Sequence, residues 1–319
     1  MNKLICNILD DHLPWVNSVS FSGDGKYIVS GSEDKSIKIW EANTGECIRT
    51  MKGHSLTVLS VSFSSDGKYI VSASGDKVIK IWEVSTGSCV RILKDHLDWI
   101  NSVSFSTDNK YIVSGSDDRT VKIWEVSTGK CIRTLTGHSE LIFSVVFSTD
   151  GKHVASGSQD KSIKIWDVNT GECVYTLEGH SHWVNSVSFS SDSKYIVSGS
   201  NDRTVKIWEV STGKCIRTLS GRSDVILSVA FSTDDLFVVS VSYDNSLKIW
   251  DINTEICIDR IKICNETEGQ LCLHLFRLEK LMGIPRWTFY MTIVKGFLTL
   301  PKQDLLDSNL FLSVRDFLN

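Results

Sequence analysis

The sequence predicts an all-β chain, a β-propeller with six clear four-stranded blades. Trp40, Trp82, Trp124, Trp166, Trp208 and Trp250 recur every 42 residues without an insertion or deletion, which marks six copies of one supersecondary unit. Each copy holds four short stretches of β-branched, aromatic and other apolar residues, separated by turn residues. Four strands in 42 residues leave no room for a helix, so helical solenoids and leucine-rich horseshoes are excluded. Four-stranded sheets repeated radially, each packing both faces on its neighbours, make a propeller.

The third copy shows the order of elements. "INSVSFS" is the first strand, "TDN" a turn, "KYIVSGS" the second strand, "DDR" a turn, "TVKIWE" the third strand, "STG" a turn and "KCIRTL" the outer strand. Copies three (His96 to Gly137) and five (His180 to Gly221) agree at 35 of 42 positions, whereas adjacent copies three and four agree at only 23. The chain therefore reads as doublets of 84 residues.

The ends are less regular. Residues 3–9, "KLICNIL", resemble the outer strand that ends each copy, so residues 1–262 read as six repeats with an N-terminal closing strand. If all six copies keep their own outer strand, this extra strand needs a further set of three. Residues 263–300 have the right length for a degenerate seventh blade. Continuing the 42-residue register, however, puts Met282, Arg286 and Thr292 where Ser, Asp and Trp stand in the other copies. "RWTFYMTIVKGFLTL" is strand-like, while Leu271, Leu275, Leu278 and Met282 have helical spacing. Seven blades with a degenerate last one is the favoured reading, and six blades plus a C-terminal tail is the alternative. Residues 301–319 read as a short helix with Leu305, Leu306, Leu310 and Phe311 on its apolar side.

Composition narrows the function classes. The chain has 319 residues, 41% of them hydrophobic, enough for a large core. A net charge of −4 and a pI near 6.1 supply no broadly basic surface, so neither nucleic acid nor a membrane is an expected partner. The first residues lack a signal-peptide pattern and no apolar run is long enough to span a bilayer. The expected location is cytoplasmic or nuclear, not secreted, which makes the Asn265-Glu266-Thr267 sequon a chance match. Cys47, Cys89, Cys131, Cys173, Cys215 and Cys257 share the 42-residue period and read as a repeated packing residue, not a disulfide framework.

The dipeptides Asp11-His12, Gly53-His54, Asp95-His96, Gly137-His138 and Gly179-His180, with the pairs from Trp40-Glu41 to Trp250-Asp251, make residues 3 to 262 similar to the WD-repeat (WD-40) propellers. The resemblance implies one buried His-Ser-Asp-Trp hydrogen-bond tetrad per blade. Carried over, the tetrads are His12, Ser30, Asp34 and Trp40; His54, Ser72, Asp76 and Trp82; His96, Ser114, Asp118 and Trp124; His138, Ser156, Asp160 and Trp166; and His180, Ser198, Asp202 and Trp208. Blade six keeps Ser240, Asp244 and Trp250 but has Arg222 in place of histidine. A guanidinium has no acceptor and cannot replace a neutral imidazole, so a looser seam is expected there.

The tetrads use five of the eight histidines, and His153 occupies the slot of Tyr27, Tyr69, Tyr111 and Tyr195 in other copies, leaving His182 and His274. A Ser, His and Asp set repeated around a ring, each with its own Trp, reads as structural, not hydrolytic. No metal-ligand spacing and no phosphate loop stand outside the period, so no enzyme activity, metal or cofactor is expected.

What remains is surface. In this family the residues after the histidine begin the innermost strand on the top face, and the residue before the tetrad Asp lies on the same face. Three after the histidine position stand Trp15, Thr57, Trp99, Leu141, Trp183 and Val225; five after it stand Asn17, Leu59, Asn101, Phe143, Asn185 and Leu227. Before the Asp stand Glu33, Gly75, Asp117, Gln159, Asn201 and Tyr243. Odd copies carry Trp then Asn; even copies carry a smaller residue then a large apolar one. Exposed aromatics, apolar neighbours and the acids Glu33 and Asp117 suit a protein or peptide partner with apolar anchors and some positive charge. The resemblance implies a non-catalytic interaction scaffold, monomeric as a ring within a multiprotein complex. Substrate recognition in an assembly such as a ubiquitin ligase, or a small-molecule site in the central channel, are the alternatives.

Overall fold

The computed structural model describes His12 and residues 15–221, 224–244, 246–262 and 291–292. They contain six four-stranded antiparallel sheets, each a meander in chain order from an inner to an outer strand. In the third sheet these strands are Ile100–Phe105, Tyr111–Ser116, Thr120–Glu125 and Cys131–Thr136. No helix occurs among the described residues.

The turns follow from their side chains. Ser106 Oγ donates to Asp108 Oδ1 and accepts from the Tyr111 N–H, closing the turn after the inner strand. Asn109 takes a left-handed φ of 58° there, at a position filled by glycine in Gly25, Gly67 and Gly151.

The core lies between blades. Val71, Ile79, Ile81 and Leu93 of the second blade pack against Ile100, Val103, Phe105, Ile112 and Trp124 of the third in one buried cluster, and each such buried aliphatic contributes roughly 1.5–3 kcal/mol. The fit is close enough that a Cβ on Gly115 would come within 2.7 Å of both Ile142 and Val145 of the fourth blade. Polar bonds cross the same seams. The amides of Val61, Val103, Val145, Val187 and Val229 each donate to a channel serine of the preceding blade, Ser18, Ser60, Ser102, Ser144 and Ser186, at 3.0–3.2 Å. At the outer edge Arg49 donates to the carbonyls of Ser85 and Thr86, and the Tyr175 hydroxyl to that of Ser211.

Cys89, Cys173 and Cys215 are exposed and Cys47, Cys131 and Cys257 half-buried. They lie on the outer strands, where Cys131 and Cys257 pack against the hydrophobic clusters as the period suggests while Cys89, Cys173 and Cys215 are exposed. All six sheets have their own outer strand. Met291–Thr292 pairs antiparallel with the inner strand of the first blade, Thr292 opposite Ser18 and Met291 opposite Val19, and also lies against the inner strand of the sixth. The closing strand at residues 3–9, the rest of the segment 263–300 and the helix at 301–319 fall outside the described residues.

Candidate functional site

Each complete tetrad is a directed chain of hydrogen bonds. In the third blade Trp124 Nε1–H donates to Ser114 Oγ at 2.8 Å, Ser114 lies 2.7 Å from His96 Nε2, and His96 Nδ1 lies 2.6 Å from Asp118 Oδ2. A carboxylate only accepts, so Nδ1 carries the imidazole proton and Nε2 accepts the serine proton. The same three links, at 2.7–2.9 Å, occur in blades one, two, four and five. Burial works to raise the Asp118 pKa, but the bonds from His96 and Thr120 outweigh it and hold the carboxyl well below its ordinary range; Asp160 and Asp202 behave alike. The tetrad serines are fully buried, and each is held between an indole N–H and an imidazole inside its own blade. Blade six keeps the Trp250 to Ser240 bond at 2.8 Å; Arg222 lies outside the described residues.

The two variable positions of each blade meet on one edge. The amides of Glu33, Gly75, Asp117, Gln159, Asn201 and Tyr243 donate to the carbonyls of Trp15, Thr57, Trp99, Leu141, Trp183 and Val225 respectively, at 2.8–3.1 Å. On this rim Trp99 is 45% exposed, Trp183 37% and Tyr243 55%, while Trp15, Glu33, Leu59, Asp117, Phe143, Gln159, Asn201 and Leu227 are half-buried.

The asparagines have a different place. Asn17 is 8% exposed and its Nδ2 donates to the Val58 carbonyl of the next blade. Asn101 and Asn185, half-buried, donate likewise to Ile142 and Ile226. They clasp an odd blade to the even blade that follows, and Asn17 in particular belongs to a seam and not to the exposed rim. Trp99 and Trp183 lean the other way, onto the preceding even blade. A Cβ on Gly75 would sit 3.2 Å from the Trp99 indole, and the Trp183 ring lies 5.8 Å from Phe143. The odd and even alternation is thus an alternation of seams.

Sequence reasoning missed two features of this face. Leu97 is 79% exposed beside Trp99; nothing in the repeat period flags it. Lys35, Lys77, Arg119, Lys161 and Arg203, each following a tetrad Asp, are exposed with left-handed φ near 70°. They repeat with the period, which is why they read as turn chemistry. The rim accordingly carries both charges. At the opposite mouth of the channel a cavity of about 380 Å³ is lined by Phe, Ser, Thr and Val with Gly23, and by no charged side chain. No cluster of His, Cys, Asp or Glu suited to a metal ion occurs among the described residues, and no helix among them is long and apolar enough to cross a membrane.

Repeated four-stranded blades, tied by buried tetrads and varied along one rim, define a repeat propeller with a built rim surface. The family model described as "WD domain, G-beta repeat" matches residues 3–41, 45–83, 87–125, 129–167, 171–209 and 213–251, more than half of the chain. The chain belongs to that family. Among curated proteins it is similar to the ribosome biogenesis protein BOP1 homologues of Drosophila grimshawi and Drosophila ananassae, each 58% identical over 41 residues. The homologue of Drosophila melanogaster is 56% identical over 41 residues. These matches cover 13% of this chain and 5% of the relatives, about the length of a single blade.

Proposed function

We propose that the protein is a non-catalytic interaction scaffold whose top rim binds a peptide or protein partner. The observation that supports this most is the exposure of Trp99, Trp183 and Tyr243 on a rim whose backbone is fixed by strand pairing and tetrads. Large aromatics on a rigid support lose little conformational entropy on binding and recur as interface hot spots. The relatives named for ribosome biogenesis match one blade, which supports the repeat and is compatible with membership of a complex in the nucleus or cytoplasm. Catalysis is not part of the reading, because the only recurring Ser, His and Asp sets are occupied internally.

The test is a protein with Trp15, Trp99 and Trp183 replaced by alanine, assayed for melting temperature and for recovery of the partners captured by the unchanged chain. Loss of capture with the melting temperature kept within a few degrees is expected. A badly destabilised variant would make the three indoles packing residues instead, and a stable variant that captures every partner would move the binding site off this rim.

A further inference from the structure

Blades three and five are nearly the same sequence, and the structure shows where they differ. Of their seven differences, four are conservative: Ile100 against Val184, Thr107 against Ser191, Asn109 against Ser193 and Thr136 against Ser220. The other three are Leu97 against Ser181, Asp98 against His182 and Asp117 against Asn201. All three are linked to the exposed tryptophan of their blade through the backbone. Residues 97 and 98 directly precede Trp99 in the chain, and the Asp117 amide donates to the Trp99 carbonyl at 2.8 Å. Two of the three replace an acidic residue of blade three, with His182 and Asn201 standing in blade five where Asp98 and Asp117 stand in blade three.

The hydrogen bond at this position is the same in the two blades. Asn101 Nδ2 donates to Asp117 Oδ1 at 2.6 Å, and Asn185 Nδ2 donates to Asn201 Oδ1 at 2.6 Å. Blade five therefore shows that an amide satisfies this position, and the hydrogen bond alone does not require a carboxylate. The carboxylate of Asp117 is poorly placed for the unbound protein. It is half-buried, and its Oδ2 accepts no hydrogen bond among the described residues. Burial pushes its pKa up, against the bond from Asn101, and the neighbouring Asp98 and Asp118 push it further. The nearby ammonium of Lys77 is engaged elsewhere, donating to the Leu97 carbonyl at 2.8 Å and lying 3.7 Å from Asp98. A half-buried anion without a counterion is costly, and a cation arriving from outside removes that cost.

We propose that the rim of blade three is a specific docking site for an arginine or lysine side chain of a partner peptide, the cation lying over the exposed Trp99 ring and pairing with Asp117 while an adjoining apolar residue covers Leu97. The inference rests on the top-rim reading above and names the chemistry its partner must carry. A π-face attracts a guanidinium or ammonium, and an ionised acceptor beside it strengthens the hydrogen bonds that fix the cation. Blade five, with Ser181, His182 and Asn201 around Trp183, offers the ring without the anion and has no such preference.

The experiment uses the full chain and an array of synthetic dodecamer peptides. Each peptide has one central residue, arginine, lysine, citrulline, leucine or glutamate, in fixed apolar flanks. Four proteins are compared: the unchanged chain, Asp117→Asn, Trp99→Ala, and the chain with Ser181→Leu, His182→Asp and Asn201→Asp. The unchanged chain should retain arginine and lysine peptides about tenfold or more better than citrulline and leucine peptides. Asp117→Asn should erase that preference while keeping the apolar baseline, and the triple substitution should raise the number of bound arginine peptides from one to two. Equal binding of arginine peptides by the unchanged chain and Asp117→Asn overturns the cation site and leaves the top-rim reading standing. Unaltered binding of every peptide by Trp99→Ala overturns the blade-three site, and a preference for glutamate peptides assigns the rim to its lysines and arginines instead. Because blade five already folds with an amide at this position, Asp117→Asn reports on binding and not on folding.

Discussion

Two aspartates adjacent in sequence respond oppositely to their surroundings. Asp118 is a tetrad acid, and the bonds from His96, Thr120 and the Leu97 amide hold its pKa low. A lowered folded-state pKa gives stability that is present above the unfolded pKa, about 3.9, and lost only as the pH falls through the folded value. The tetrads therefore persist well into the acid range. Asp117 is raised, by burial first and by Asp98 and Asp118 after it, so the sign reverses. Its contribution is fully present below the unfolded pKa and is lost as the pH rises through its folded value. Asp117→Asn should consequently leave the melting temperature at neutral pH unchanged or a few degrees higher. The difference should shrink as the pH drops below about 4, where the wild-type acid is itself neutral. A lower melting temperature at pH 7 than at pH 4, relative to wild type, would mean that the carboxylate is satisfied by its neighbours. Melting curves of the two proteins across that range decide it.

At the scale of strands and blades, much was legible because it is periodic. The six strand sets and the tetrads recur at fixed offsets, and a hydrogen-bond network repeated in five blades leaves the same letters five times. The pairing of the two variable positions was legible as well, since both flank tetrad residues. The asparagine clasps were not. Asn17, Asn101 and Asn185 stand among rim residues in the sequence, and their true partners are carbonyls 41 residues away on the next blade. Periodicity reports what each copy does for itself and is silent on which neighbour a side chain reaches. The cysteine period is silent in the same way on exposure, since Cys131 and Cys257 pack against the hydrophobic clusters while Cys89, Cys173 and Cys215 are exposed at the blade edge. The clasps make a local prediction. Asn17→Ala removes the bond to the Val58 carbonyl and should cost about 1–2 kcal/mol, confined to the seam between blades one and two because repeats couple mainly to their neighbours. Hydrogen exchange should then speed up at the Val61 amide, which bonds Ser18 across that seam, and stay unchanged at the Val103 amide, which bonds Ser60 across the next. Equal acceleration at both amides would show that the blades open as one unit.

At the scale of the whole molecule the question is how the ring closes. Five seams share one construction, a channel serine taking the amide of the following blade, and they join blades one through six in chain order. Met291–Thr292 is hydrogen-bonded to the inner strand of blade one as a fifth, short strand of that sheet and lies against the inner strand of blade six. Since the six sheets already have four strands each, an outer strand lent by residues 3–9 could complete only a further unit. A closing unit assembled from both ends of the chain predicts a specific weakness. Deleting residues 1–10 would leave its last strand without a partner, and an unpaired strand edge is a template for association with other chains. The truncated protein should lose its single cooperative unfolding transition, or aggregate at concentrations where the full chain stays monomeric. Its tetrads in blades two to five should persist, because their bonds lie within their own blades. Urea unfolding read by tryptophan fluorescence, alongside light scattering, separates the outcomes. Unfolding indistinguishable from that of the full chain would show that residues 3–9 close nothing and would favour six blades followed by a tail. A truncation that loses cooperativity while peptide capture at blade three survives would place closure and recognition on different parts of the ring.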